Sequence, residues 1–261
     1  MRLPRTVIAA GLAVGGALVG LAAGHARSGS AAAVKSTHSG NVAPTLLHFS
    51  KAEQGAIEQL SPIGPVPPDP TDKVANNPVA SRFGQYLFYD PNLSANHKIS
   101  CASCHQPARA FTDGRRVGIG LGKDTRNTPT LLNVAYNHWF FWGGRADSLW
   151  AQALYVMETP TEYGSDRVHI AHVIYDSPAL RNAYRKIFGP MPPLNDTARF
   201  PAHARPVPGH PNASLSKAWA AMTPADRHAV DRAFSNLGKA IEAYERKLVS
   251  ADSPFDEFVE G

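Results

Sequence analysis

This 261-residue chain lacks the sequence features that are typical of disulfide-linked, nucleic-acid-binding or sheet-based proteins. Its only two cysteines are Cys101 and Cys104, too few for a disulfide framework. The 26 Lys and Arg residues form no basic block, so nothing supports a nucleic-acid interface. No segment alternates apolar and polar residues over the length of a strand. The sequence therefore favours an all-α fold.

Both cysteines belong to one pentapeptide, Cys101-Ala102-Ser103-Cys104-His105. C-x-x-C-H is the attachment signature of a c-type haem, in which the two thiols bond to the porphyrin and the adjacent imidazole ligates the iron. A thioredoxin-like motif would lie in a βαβ pattern, and a zinc site would have further Cys or His ligands nearby. The nearest downstream histidine, His138, is too distant for a compact zinc hairpin. We expect one covalent haem c, with no cysteines left for a second.

The amino terminus has the features of an export signal. Arg2 and Arg5 precede an apolar run from Val7 to about Gly24, and residues 24–26 form a small-x-small cleavage pattern. An uncleaved membrane anchor is the alternative, but a run of about 18 residues is at the lower limit for a spanning helix. Because haem is attached to thiols outside the bacterial cytoplasm, we expect a signal peptide over residues 1–26 and a periplasmic protein.

Local signals predict mainly helices and proline-rich loops after the signal peptide. Residues 27–78 read as a flexible and proline-rich lead-in, with a short helix near 46–60 and extended chain packed over the surface at 61–70. Residues 189–217 hold seven prolines and are expected to be irregular. Thr223 and Pro224 predict the start of a long helix whose apolar stripe runs to Leu248. Other helices are expected at Pro78–Tyr89, 148–157, 168–175 and Pro178–Phe188.

Five motifs in order carry a family resemblance, at residues 87–94, 100–105, 111–114, 126–133 and 141–146. Together they resemble the amino-terminal, peroxidatic half of the bacterial di-haem cytochrome c peroxidase and MauG family. The resemblance runs from about residue 79 to 164 and resumes over residues 240–261. It implies a cytochrome c-like, all-α haem domain over residues 79–261 with long irregular proline-rich loops, ending where the second haem domain of the family would begin.

The resemblance also implies roles for individual residues. Glu162 matches the glutamate that moves a proton between the two oxygens of hydrogen peroxide on the open side of the iron. Gln152 matches a glutamine that orients the peroxide, and Trp142 matches a tryptophan that lies between the two haems and relays electrons. Asn127 matches a residue that helps to bind calcium between the domains.

The residues alone leave other interpretations of these positions open. Glu162 is also readable as a solvated loop acid, with Glu158 as a nearby alternative. Gln152 is equally compatible with a helix surface, and Trp142 with ordinary core.

Three departures from the family pattern affect what is expected. Leu121 stands where many members have a histidine that blocks the iron until the partner haem is reduced, so we expect an iron that is already open. Gly143 replaces the aspartate of a Trp-Asp-Gly-Arg motif, which would alter hydrogen bonding around Trp142. The chain ends where a second haem domain would start; a separate second-haem subunit, a homodimer, a truncated product and a one-haem protein all remain open.

The expected reaction is reduction of hydrogen peroxide to water, with electrons from a small periplasmic cytochrome c or copper protein. One alternative is a mono-haem electron carrier, which would need a sixth iron ligand such as Met157, Met191, His169 or His172. Another is MauG-like oxidative maturation of tryptophans in a partner protein.

Overall fold

The computed structural model describes residues 48–260, so the predicted signal peptide and residues 27–47 of the lead-in lie outside the described residues. Within this range the chain is helical, and its β-structure is limited to isolated bridges. This confirms the predicted all-α class. None of these helices combines the length and the apolar run that crossing a bilayer requires. The helices are α1 (Lys51–Glu58), α2 (Pro78–Tyr89), α3 (Cys101–Cys104), α4 (Leu149–Glu158), α5 (Arg167–Asp176), α6 (Pro178–Phe188), α7 (Ser214–Ala221), α8 (Pro224–Glu245) and α9 (Pro254–Glu260).

Side-chain caps followed by proline set the starts of the main helices. Asn77 accepts hydrogen bonds from two backbone N–H groups at the start of α2, and Thr223 caps α8 through the N–H of Asp226. Pro78 and Pro224 occupy first-turn positions where no backbone N–H is needed. Ser50 forms a full capping box with Glu53 in α1. These local signals explain why the predicted helix starts are confirmed.

The long helix α8 is the centre of the fold, and α2 and α4 pack against it. Apolar side chains of α2, including Leu87, and of α8, including Leu237 and Ile241, are fully buried in one shared core. Gly84 of α2 lies so close to α8 that an added Cβ would be 1.7 Å from the Ala240 carbonyl oxygen. The absence of a side chain at position 84 therefore fixes how near the two helices can approach.

One loop prediction and one helix end need correction. Residues 189–217 were expected to be irregular throughout, but α7 begins at Ser214, because the last prolines of the segment lie before that residue. The rest of the segment is irregular yet packed, since Leu194, Phe200 and Ala204 are buried in a second, smaller core cluster. The stripe of α8 was expected to reach Leu248, whereas the helix ends at Glu245.

The proline-rich segment 61–70 forms neither a helix nor a strand, and it is tied to the rest of the domain. The Gly64 carbonyl accepts a 2.7 Å hydrogen bond from the Tyr136 hydroxyl, and the Pro67 carbonyl accepts one of 2.7 Å from Arg246. This segment, called the proline strap below, therefore lies against the end of α8.

Candidate active site

One cavity of about 410 Å³ collects the haem-attachment motif and every residue to which the family resemblance gave a role. Its walls come from α3, α4, the end of α8 and the loops over residues 118–129 and 141–145. Residues from Cys101 to Glu162 converge there although they are far apart in the chain. The predicted residues that line the cavity are Cys101, Cys104, His105, Asn127, Trp142, Gln152 and Glu162.

The haem-attachment motif forms a single helical turn. Cys101 and Cys104 begin and end α3, and the His105 N–H donates to the Cys101 carbonyl at 2.8 Å. Residues three apart on a helix lie on the same face, so both thiols reach the same cavity. At the start of the turn the Ser100 N–H donates to Ser103 Oγ at 3.0 Å.

The His105 ring is held in one tautomer by its backbone environment. Its Nδ1–H donates to the Phe111 carbonyl oxygen at 3.0 Å, which leaves the Nε2 lone pair free to ligate a metal. Burial lowers the pKa of His105, so the ring is the neutral imidazole that a metal ligand must be. Ala110 and Phe111, at φ of 51° and 57°, both adopt left-handed backbone that aims this carbonyl.

The cavity has the features that a c-type haem needs. Both thiols are free, and burial raises the pKa of Cys101 to about 12, so this thiol is neutral. The Tyr163 hydroxyl donates to Cys101 Sγ at 3.2 Å. The walls contain Ile99, Phe141 and Val156 among other apolar side chains, as a porphyrin face requires. These residues therefore fit covalent haem with His105 as the proximal ligand.

Glu162 is placed by a loop-to-loop contact that sequence spacing does not show. The Leu121 N–H donates to the Glu162 carbonyl at 3.0 Å, and the Gly122 N–H donates to the Thr161 carbonyl at 2.8 Å. An added Cβ on Gly120 would lie 2.7 Å from both the Cα and the carbonyl oxygen of Glu162. The two backbones touch because residue 120 has no side chain, and this contact fixes the position of Glu162.

The electrostatic environment of Glu162 suits proton transfer near neutral pH. Burial raises the pKa of its carboxyl to about 7; Asp124 adds to the rise and Arg145 opposes it. Glu158, the alternative carboxylate, does not line the cavity. It is paired with Arg167 through hydrogen bonds of 2.7 and 2.9 Å, so its role is structural. The structure thus places Glu162 in the cavity wall and Glu158 in a structural ion pair.

Trp142 and Gln152 line the cavity from a loop and from α4, respectively. The Trp142 side chain is 59% exposed and donates from Nε1 to the Asn127 carbonyl at 2.9 Å, so its interpretation as ordinary core is wrong. Among residues 48–260 no cluster of three or more His, Cys, Asp or Glu side chains has the geometry to hold a metal ion. A calcium site at Asn127 stays a prediction.

The alternative sixth ligands lie elsewhere in the domain. Met157 is 1% exposed in the main core, and the His172 ring lies at hydrogen-bond distance from the Phe200 and Pro201 carbonyls. Leu121 does not line the cavity either. Within the part of the chain that the structure describes, His105 is the only histidine of the cavity wall, and the wall contains no methionine.

Two residues of the cavity were missed from the sequence. Tyr163 contacts Cys101 across 62 positions of chain, a long-range contact with no local signal. Glu245 lines the cavity from the last turn of α8. A signal for it did exist, because Glu245 follows Ile241 by four residues and so lies on the apolar stripe of that helix.

Comparisons with known proteins match this arrangement. A sequence model described as di-haem cytochrome c peroxidase matches residues 78–261. Cytochrome c551 peroxidase of Pseudomonas aeruginosa is 29% identical over 199 residues, covering 74% of this chain and 47% of that protein. The methylamine utilization protein MauG of Methylorubrum extorquens is 32% identical over 169 residues, covering 64% and 44%.

A solved structure agrees with the fold. It is that of a MauG-like protein associated with microbial copper homeostasis, with a TM-score of 0.53 and 26% identity. The match covers 76% of this chain and 48% of that one. The chain spans about half the length of the curated relatives it matches.

Proposed function

This chain belongs to the di-haem cytochrome c peroxidase family, as its motifs indicated, and we propose that its helical domain binds one haem c and reduces hydrogen peroxide to water. The electrons would come from a small cytochrome c or copper protein, and the reaction would take place in the periplasm. An oxidoreductase is what the family and the named relatives support.

One observation carries this proposal. The two attachment thiols, a neutral imidazole and a carboxyl group with a pKa near 7 all face one cavity, and its described wall holds no second histidine and no methionine that could ligate the haem iron. An electron carrier needs its iron ligated on both faces, whereas a peroxidase needs one face open beside a proton-transferring group. The composition of the wall favours the peroxidase.

The chain's own residues have distinct tasks in this chemistry. When bound, the haem supplies the iron and the oxidising equivalents of the reaction. Glu162, with a pKa near 7, is able to accept a proton from peroxide and return it as an acid, which typically contributes about 10²–10⁴-fold to such reactions. Gln152 offers an amide that orients a bound oxygen through hydrogen bonding. The hydrogen bond to the Phe111 carbonyl fixes the His105 ring, whose Nε2 would ligate the iron.

Oxidative maturation of a partner protein is a second candidate, and the exposure of Trp142 favours it. This side chain lines the cavity and yet is 59% exposed, and Trp139, close by in the same loop, is 66% exposed. An oxidising equivalent that reached Trp142 would therefore be at the surface, where a docked protein could be oxidised.

Peroxide turnover by the haem-loaded protein, with a reduced small cytochrome as donor, tests the proposal. Glu162→Gln should lower turnover by about 10²-fold or more. Glu158→Gln is the matched control, since Glu158 lies outside the cavity, and it should leave turnover near the wild-type rate at equal haem content. Equal rates for Glu162→Gln and wild type would remove Glu162 from the mechanism. A low-spin spectrum insensitive to cyanide would favour the electron carrier.

A further inference from the structure

A second cavity of about 400 Å³ lies beside the end of α8. The proline strap, residues 135–140 and the start of α4 form its walls, and Glu242 and Arg246 reach it from α8. Glu245, three residues after Glu242, lines the first cavity instead. The last turns of α8 therefore border both cavities, with one glutamate on each.

Glu245 is a carboxyl group without a partner in the haem-binding cavity. It is 3% exposed, and its Oε2 has no hydrogen-bond partner among the described residues. Arg246, the residue after α8, donates to the Pro67 carbonyl at 2.7 Å and lies 3.7 Å from Glu242. Because an unpaired buried carboxylate is costly, the group favours its neutral, protonated form. Burial and the neighbouring Glu242 both raise its pKa.

The groups that face Glu245 do not lower its pKa by pairing with it. Cys101, on α3, contributes a neutral thiol, or a thioether once haem is attached, and Tyr163 donates to that sulfur. Tyr244, beside Glu245 on α8, has a raised pKa and is neutral. Arg126 and Arg145 also line the cavity, but neither forms an ion pair with Glu245, so Glu245 ionises only above its raised pKa.

Glu242 provides a connection from Glu245 toward the surface. Residues three apart on a helix are neighbours, so the two carboxyl groups adjoin along α8. Glu242 is 1% exposed and accepts a 3.1 Å hydrogen bond from the backbone N–H of Trp150. Burial, together with the like charges of Asp69 and Asp72, raises its pKa. Asp69 lines the second cavity together with Glu242. Glu245, Glu242 and Asp69 therefore form a row of carboxyl groups that leads from the first cavity to the second.

We propose that Glu245 takes up the proton that accompanies an electron entering the haem, and that Glu242 connects it to solvent through the second cavity. At a pH where Glu245 is ionised while the haem is oxidised, an electron added to the haem would favour protonation of this carboxylate, and uptake of one proton would leave the net charge of the cavity unchanged. The full reaction consumes two electrons and two protons for each hydrogen peroxide and yields two waters. Glu245 can act in this way only with haem in the first cavity, as in the proposed function.

The midpoint potential of the haem-loaded protein, measured against pH by spectroelectrochemistry without peroxide, tests the role of Glu245. In wild type the potential should fall over a window of pH by up to about 59 mV for each tenfold decrease in proton concentration, the value for one proton per electron. In Glu245→Gln the side chain at position 245 cannot titrate, so the midpoint potential should no longer change with pH over that window. Glu58→Gln, an exposed glutamate on α1, is the matched control and should keep the wild-type slope.

The assignment would be overturned if the midpoint potential of the wild type did not depend on pH, or if Glu245→Gln kept the same dependence. Glu245→Asp keeps a titrating group and should restore a slope, which separates loss of the proton site from a general folding defect. Because no peroxide is used, a protein without peroxidase activity would still show the slope, and a peroxidase without it would refute only the role of Glu245.

Glu242→Gln tests the connection to solvent. At equilibrium the midpoint potential of this variant should still depend on pH. The pH window should move to lower values, because removing the neighbouring acid Glu242 lowers the pKa of Glu245. The rate of reduction within that window should fall several-fold, and its solvent deuterium isotope effect should increase. Wild-type rates and isotope effect in Glu242→Gln would remove Glu242 from the route.

Discussion

A single methyl group on Gly120 should displace the catalytic carboxylate without removing it. In Gly120→Ala the new Cβ would lie 2.7 Å from two backbone atoms of Glu162 and 2.8 Å from the Thr161 carbonyl oxygen. Non-bonded carbon atoms prefer about 3.5–4.0 Å, so the two loops must separate by roughly 1 Å. The hydrogen bonds that join Leu121 to Glu162 and Gly122 to Thr161 would lengthen with them.

The expected cost follows from that displacement. A misplacement of about 1 Å can reduce the rate of a positioned reaction about 10²-fold. This corresponds to roughly 2.7 kcal/mol of lost transition-state stabilisation. The assay is kcat/KM for hydrogen peroxide with a reduced cytochrome donor, at equal haem content determined from the absorption spectrum. Because α3 and His105 are not part of the contact, haem attachment should be normal.

Gly122→Ala is the matched control for this experiment. Its Cβ would meet only side-chain atoms and the Cα of Thr161, at 3.3–3.5 Å, so small adjustments accommodate it. We expect kcat/KM within a few-fold of wild type. If Gly120→Ala were as active as Gly122→Ala, the close approach of the two loops would not be what positions Glu162.

Three further predictions follow from the same contacts. Because burial raises the pKa of Glu162 to about 7 and the base must be ionised to accept a proton, kcat/KM should rise with pH through about 7, and this step should disappear in Glu162→Gln. Gly84→Ala would place a Cβ 1.7 Å from the Ala240 carbonyl and should lower the free energy of unfolding by about 3 kcal/mol in urea titrations; Gly55→Ala in α1, with nothing within 4 Å, should not. Replacing both Cys101 and Cys104 by alanine should abolish covalent haem, measured as haem that stays with the denatured chain; retention of haem would refute the attachment assignment.

Local sequence signals were sufficient for most of the helices and for the attachment motif. Asn77 with Pro78, and Thr223 with Pro224, mark helix starts through hydrogen bonds within three residues, which spacing alone reveals. The C-x-x-C-H motif is equally local, since its three functional side chains occupy one helical turn and the next residue. Such features need no knowledge of the tertiary fold.

Contacts between distant segments could not be predicted in this way. The choice of Glu162 over Glu158 rested on the family resemblance, because both are glutamates near the end of the same helix. The structure shows the physical difference: the loop containing Gly120 holds one beside the cavity, and Arg167 pairs with the other. Glu245 lies on the apolar stripe of α8, but its place beside Cys101 depends on α3 and α8 lining one cavity, which no local pattern encodes.

The left-handed pair Ala110 and Phe111 has a consequence for attempts to make this domain more heat-resistant. Residues with side chains cost about 1–3 kcal/mol each in that backbone region, and the Phe111 carbonyl they direct is the acceptor for His105. A selection based on melting temperature alone would favour glycine at position 110, since it removes this cost. The same change would let the carbonyl turn away from the imidazole. The most heat-resistant version of the domain would then orient its iron ligand, His105, less firmly than the natural one.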